Sequence, residues 1–310
     1  MTRAVPPSKY DLIDHVCLSV QRNLTMPAFA LRTTLRRAIP ATIAALSLCL
    51  VEPAIAACDS PIASSHLVTP GVLQMSTNPT LPPQQYVTSD GELEGLNVDL
   101  GRDIAKQLCL KPEFIRMDMP PMIPALKTGR FDMINTGLFY TDERSKMFYM
   151  VPYAQQALSV YTTPSSPLKI TRFEDLAGLR IGVEISTYQE KHARAISDEM
   201  VRRGLKPIQF FTFTTVTDTQ AALRAGQIDA AINIDETAAD LAQRGLVKIW
   251  LHGLYGTDIT MAFRDRAVAE AAANALNRLK ANGDYDRLFA KYRMTPLQTG
   301  TFAIRGSGPG

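Results

Sequence analysis

The chain has 310 residues, 46% of them apolar and 20% charged, a mixture that excludes disordered and fibrous proteins and allows two modest domains. Its 33 Lys and Arg against 30 Asp and Glu leave a formal charge of +3, without the clustered basic face that nucleic-acid binding needs. Four cysteines (Cys17, Cys49, Cys58, Cys109) lack Cys-x-x-Cys spacing and four histidines (His15, His66, His192, His252) are scattered, so neither a metal site nor a cofactor is expected.

The first predicted element is an export signal. Arg32, Arg36 and Arg37 precede the uncharged run Ala38 to Val51, which is followed by Pro53 and the small-residue triplet Ala54-Ile55-Ala56. That run is shorter than the roughly 20 residues that span a bilayer. A buried apolar helix is the other reading, against which Pro40, Pro53 and the missing polar face all count. Residues 1–56 are thus read as a signal peptide with an N-terminal extension. Residues 1–25 are either an upstream start ahead of Met26 or a long n-region. Cleavage after Ala56 removes six basic and three acidic side chains, leaving 27 against 27 and a neutral mature chain. Cys58 and Cys109 remain, a pair suited to one disulfide in an oxidising compartment. Ile55-Ala56-Ala57-Cys58 also resembles a lipoprotein lipobox, which would anchor the protein to a membrane through Cys58; Glu52 and Pro53 favour the soluble, periplasmic form.

From Gly71 onward, short apolar strands alternate with longer amphipathic segments, the pattern of an α/β protein. Strands are expected at Val72–Met75, Phe114–Met117 and Phe131–Ile134, with helices over 96–110 and from Met122 to Thr128. The same grammar recurs after Pro164-Ser165-Ser166-Pro167. Strands are expected at Leu179–Val183, Phe210–Phe213 and Ala230–Ile234, and helices at Thr187–Arg203, Thr217–Ala225 and Glu236–Arg244. The segment Arg266–Tyr292 reads as helix broken at Asn282-Gly283.

An ordered set of motifs then becomes specific. It comprises Gly71-Val72-Leu73, Asn78-Pro79-Thr80, Gly91 to Leu100, Ile123 to Asp132, Thr141-Asp142-Glu143-Arg144, Phe173 to Gly178, Ala225 to Ala230 and Leu279 to Tyr292. In this order over about residues 70–295 the chain resembles the family 3 periplasmic solute-binding proteins, the amino-acid receptors of ABC importers. The resemblance implies a two-lobed periplasmic binding protein fold of type II-like topology, its lobes joined by two hinge strands near 158–161 and 255–258. Lobe 1 would be residues 57–163 plus 256–300, lobe 2 residues 164–255, and residues 301–310 a flexible tail. A monomer that delivers a small solute to an inner-membrane ABC permease is implied.

Arg144 stands in the first turn of a helix, where a cation opposes the helix dipole unless an anion is near, and its planar guanidinium suits a carboxylate. In the family the matching arginine grips the solute's carboxylate; pairing with Asp142 or solvent is the plainer reading. Ser186 and Thr187 open a helix after a strand, where N–H groups take an anion or Thr187 merely caps. The resemblance gives Asp235 to the solute's ammonium; capping its helix is the alternative. Leu81, Met119 and Phe139 stand where the family usually has stacking or hydroxyl residues, Phe139 two positions past Gly137, so an apolar solute side chain is expected over a polar one, with Phe139 as a plain core residue the other reading. Two other functions remain open. One is a periplasmic cyclohexadienyl dehydratase-like enzyme, with Glu184 or Glu190 as an acid. The other is a binding module of a periplasmic sensor or dehydrogenase system.

Overall fold

The computed structural model describes residues 58–309. The expected export signal, its extension and the cleavage point after Ala56 lie outside the described residues.

The first half runs β1 (Val72–Thr77), β2 (Thr80–Leu81), β3 (Gln85–Val87), β4 (Leu93–Glu94), α1 (Leu96–Gln107), β5 (Lys111–Arg116), α2 (Met119–Lys127), β6 (Met133–Phe139) and α3 (Asp142–Ser145). A long strand, β7 (Tyr149–Thr162), leads to β8 (Arg180–Glu184), α4 (Tyr188–Arg202), β9 (Gln209–Phe213), α5 (Val216–Arg224), β10 (Ala230–Ile234) and α6 (Asp235–Gln243). The return strand β11 (Lys248–Phe263) precedes α7 (Arg266–Ala281) and α8 (Asp284–Tyr292).

Eight strands form one sheet in the order β5-β1-β6-β11-β7-β10-β8-β9, and β2, β3 and β4 form a small antiparallel sheet. At both ends the strands are parallel, as helical crossovers require, whereas β7 and β11 pair antiparallel from Tyr149–Phe263 to Thr162–Lys248. These two long strands are shared by both halves. Near the middle Leu158 faces Leu254 and Gln156 faces Thr257, with register shifts on either side of Leu254. Such irregularities bend a strand, which is what a connection between two bodies needs.

The loop before α1 packs closely against the Pro83–Gln85 backbone. Gly95 has φ 125°, and a Cβ there would lie 2.3 Å from the Gln84 carbonyl oxygen. Only glycine allows that approach. The N–H groups of Leu96 and Asn97 donate to the carbonyls of Pro83 and Gln84, satisfying donors the first helical turn leaves free.

Three expectations need correction. Helix α2 starts at Met119, three residues before the expected Met122, because Pro120 and Pro121 fall in a first turn that has no use for their missing N–H groups. Helix α6 starts at Asp235, with Ile234 at the capping position, so Asp235 does not cap it. Residues 301–309, expected as part of a flexible tail, are packed. Phe302 is buried, its backbone N–H and C=O both bonded to the Asn277 amide, while Arg305 N–H donates to Met150 O and its guanidinium pairs with Asp258 at 2.7 Å. Polar, glycine-rich composition concealed this because main-chain pairing holds the segment. Cys58 and Cys109 are joined in a disulfide with Cα atoms 5.5 Å apart.

Candidate functional site

A cleft with about 410 Å³ of empty space, the part open to solvent included, lies between the two halves of the sheet. From the first half it is lined by Asn78, Leu81, Gln84, Met119, Phe139 and Arg144, and from the second by Glu184, Thr187, Tyr188, Gln189 and Ile234.

The short α3 helix positions Arg144. Thr141 caps it, accepting from the Arg144 N–H at 3.1 Å. The guanidinium Nη1 donates to the carbonyl of Phe139 at 2.9 Å, and among the described residues no carboxylate lies within ion-pair distance of it. Burial lowers its pKa to about 10, which leaves it cationic at neutral pH. A half-buried guanidinium with unused donors, opening into a cavity, is suited to a carboxylate supplied from outside.

Strand β6 ends in Gly137, Leu138 and Phe139, all of which line the cavity. Gly137 has φ 72°, and a Cβ there would approach Gln84 Oε1 to 2.8 Å. Glycine thus lets the Gln84 amide lie flat against the strand. That amide is fully buried, and neither its oxygen nor its nitrogen has a hydrogen-bond partner. Phe139 is stacked on Tyr188 from the opposite half, ring centroids 4.4 Å apart and planes 4° from parallel. With Leu81, Met119 and Ile234 these rings make one wall apolar.

Glu184 closes the other side. It is 4% exposed, at the end of β8, and accepts from Asn78 Nδ2 at 2.6 Å across the cleft. Burial pushes its pKa up to about 8, aided by the charge of Asp118 and opposed by the Asn78 hydrogen bond. Burial makes the charged form expensive, so the carboxyl holds its proton near neutrality, which makes Glu184 a candidate for a functional group.

The remaining expected residues part company. Thr187 lines the cavity, but its hydroxyl donates to the Glu184 carbonyl at 2.6 Å and accepts from the Glu190 N–H, so it caps α4. Ser186 is exposed, in the left-handed region at φ 63°, and its N–H donates to the Glu190 carboxylate at 2.7 Å. Glu190 also pairs with Arg194, so it serves the helix start.

Asp235 is not in the cavity of Arg144. Its carboxylate accepts from Ser159 Oγ at 2.6 Å and from the Gly253 N–H at 2.9 Å, tying α6 to β7 and β11. Successive side chains at a strand end point to opposite sides, and it is Ile234 that faces the cavity. Asn78, Gln84, Tyr188 and Ile234 were not anticipated. Asn78 and Gln84 flank prolines and read as turn residues; only the stacked rings and the buried amides reveal them.

A family model for the bacterial extracellular solute-binding proteins, family 3, matches residues 73–295. Over 246 residues the chain is 27% identical to a histidine-binding periplasmic protein of Escherichia coli strain K12, covering 75% of this chain and 92% of that protein. Among solved structures, an ancestral arginine-binding protein bound to arginine matches with a TM-score of 0.66 at 28% identity, over 72% of this chain and 98% of that one. An ancestral amino acid-binding protein, described as a precursor of cyclohexadienyl dehydratase, matches with a TM-score of 0.65 at 25% identity, over 72% and 95%. The expected two-lobed periplasmic binding protein fold is the fold of this chain.

Proposed function

This chain belongs to the bacterial extracellular solute-binding proteins of family 3, and from that membership we propose that it captures one small amino-acid-like carboxylate between its lobes and delivers it to an ABC importer. Arg144 carries the reading: a cationic guanidinium facing an interlobe cavity, with no carboxylate among the described residues within ion-pair distance. It takes the solute's carboxylate, the buried Gln84 amide offers further hydrogen bonds, and Leu81, Met119, Phe139, Tyr188 and Ile234 receive an apolar side chain. The lobes are residues 57–163 plus 256–300 and residues 164–255, hinged on β7 and β11. The working form is a periplasmic monomer, its thiol at Cys58 bonded to Cys109 and so not acylated.

A thermal-shift screen of the amino acids and their deaminated analogues, followed by calorimetry on the hits, tests this. An aliphatic or aromatic amino acid raising the Tm and binding one to one is the expected result. If no carboxylate binds, the reading is wrong.

One observation favours a second reading. Glu184 is a buried acid in the same cavity, and a structural relative is described as a dehydratase precursor. Turnover of arogenate or prephenate by the wild type, abolished in Glu184→Gln, would establish an enzyme instead of a receptor.

A further inference from the structure

We propose that Glu184, and not Asp235, is the specificity-determining residue that binds the solute's ammonium group. The inference rests on the cavity being an amino-acid site.

A zwitterionic solute brings one positive and one negative group, and burying either without a partner is costly. Arg144 meets the negative one. Among the described residues that line the cavity, Glu184 alone has a carboxyl group. Asp235, expected in that role, is committed to Ser159 and to the Gly253 backbone, and Ile234 stands on the cavity side of the strand end. Asn78 occupies Oε1 of Glu184, and no described residue donates to Oε2.

The groups around Glu184 determine how it responds to a solute. Asn78, in the loop after β1, donates to it; Asp118, just before α2, repels its charge; Arg144 on α3 and Tyr188 on α4 line the same cavity. Buried in this setting the carboxyl is neutral in the empty protein below about pH 8. An arriving ammonium makes the ionised form the favoured one, so the proton leaves to solvent as the ion pair forms. Binding is then coupled to release of about 0.9 proton at pH 7, and Kd falls roughly tenfold per pH unit between pH 6 and 7, levelling off above the pKa of the empty site. Arg144 does not titrate in this range and contributes no such slope.

The probes are L-leucine and L-phenylalanine, with their deaminated analogues 4-methylpentanoate and 3-phenylpropanoate, titrated by calorimetry in buffers of different ionisation heat. In the wild type the amino acid should bind at least about 30-fold more tightly than its analogue and release a proton. Glu184→Gln keeps the shape and the acceptor for Asn78; it should erase both the preference and the proton release. Circular dichroism checks its fold, and Asp235→Asn should retain both properties. Equal affinity of the wild type for amino acid and analogue, or an unchanged preference in Glu184→Gln, overturns the inference while leaving a carboxylate receptor intact. If neither amino acid nor analogue binds the wild type, the amino-acid site and this inference fall together.

Discussion

Arg144 shows how far a single residue could be understood from the sequence. A cation in the first turn of a helix needs a reason, and the structure leaves its guanidinium with one carbonyl partner and, among the described residues, no acid within ion-pair distance. Replacing it with Met should weaken solute binding by about 2–5 kcal/mol, measured by calorimetry, with the fold intact. Wild-type affinity for a solute from which Arg144→Met takes nothing would mean that the carboxylate sits elsewhere. Phe139 was legible as apolar lining, but its partner was not: Tyr188 is 49 positions away in sequence and reaches it only because the halves meet. Stacked pairs contribute about 0.5–1.5 kcal/mol beyond their buried area. Phe139→Ser should therefore lower affinity for leucine and phenylalanine and shift preference toward polar amino acids in a thermal-shift panel. Tighter wild-type binding of arginine or glutamate than of leucine or phenylalanine would show that Phe139, Leu81 and Met119 do not define the side-chain pocket.

At the scale of elements, the longer helices and the strands β1, β5, β8, β9 and β10 were readable to within three residues because hydrophobic period and Gly or Pro punctuation agree there, whereas β6 runs five residues past its expected end and the long β7 and β11 were foreseen only as hinge positions. Asp235 escaped that logic. Sequence spacing placed it at the end of a strand, but which side of the sheet it faces depends on where the strand stops, and a shift of one residue exchanges Asp235 for Ile234. The carboxylate instead joins three elements, α6, β7 and β11, through Ser159 and Gly253. Asp235→Ala removes two charge-assisted acceptors from the hinge and should lower the unfolding free energy by about 1.5–3 kcal/mol in denaturant titration. Solute affinity should change less than Arg144→Met makes it change. A larger loss of affinity than of stability would return Asp235 to the binding site.

The whole molecule stores two further consequences of burial. The disulfide closes a loop of 51 residues across the first half, and by chain entropy it contributes roughly 4 kcal/mol, so a reductant or Cys109→Ser should lower the Tm markedly. An unchanged Tm would mean the bond does not form in the exported protein. The second consequence is a dependence of empty-state stability on pH. Glu184 and Glu236 both titrate above the ordinary glutamate value of 4.5, at about 8 and about 7, because burial disfavours their charge, and for Glu236 the carboxylate of Asp235 adds to it. A carboxyl raised in the folded state contributes stability that is complete below its unfolded pKa and is lost as pH climbs through its folded pKa. The empty protein should therefore unfold at progressively lower temperature from about pH 5 to pH 8.5, opposite to the usual gain of stability by paired carboxylates over the acid range. Glu236→Gln should flatten the part of the slope near pH 7, and Glu184→Gln the part near pH 8. A bound amino acid, by holding Glu184 ionised, should flatten the upper part as effectively as the substitution does. A Tm that stays level across this range would show that these two carboxyls are hydrated in the folded empty protein, and a slope surviving in the double variant would show that other groups carry it.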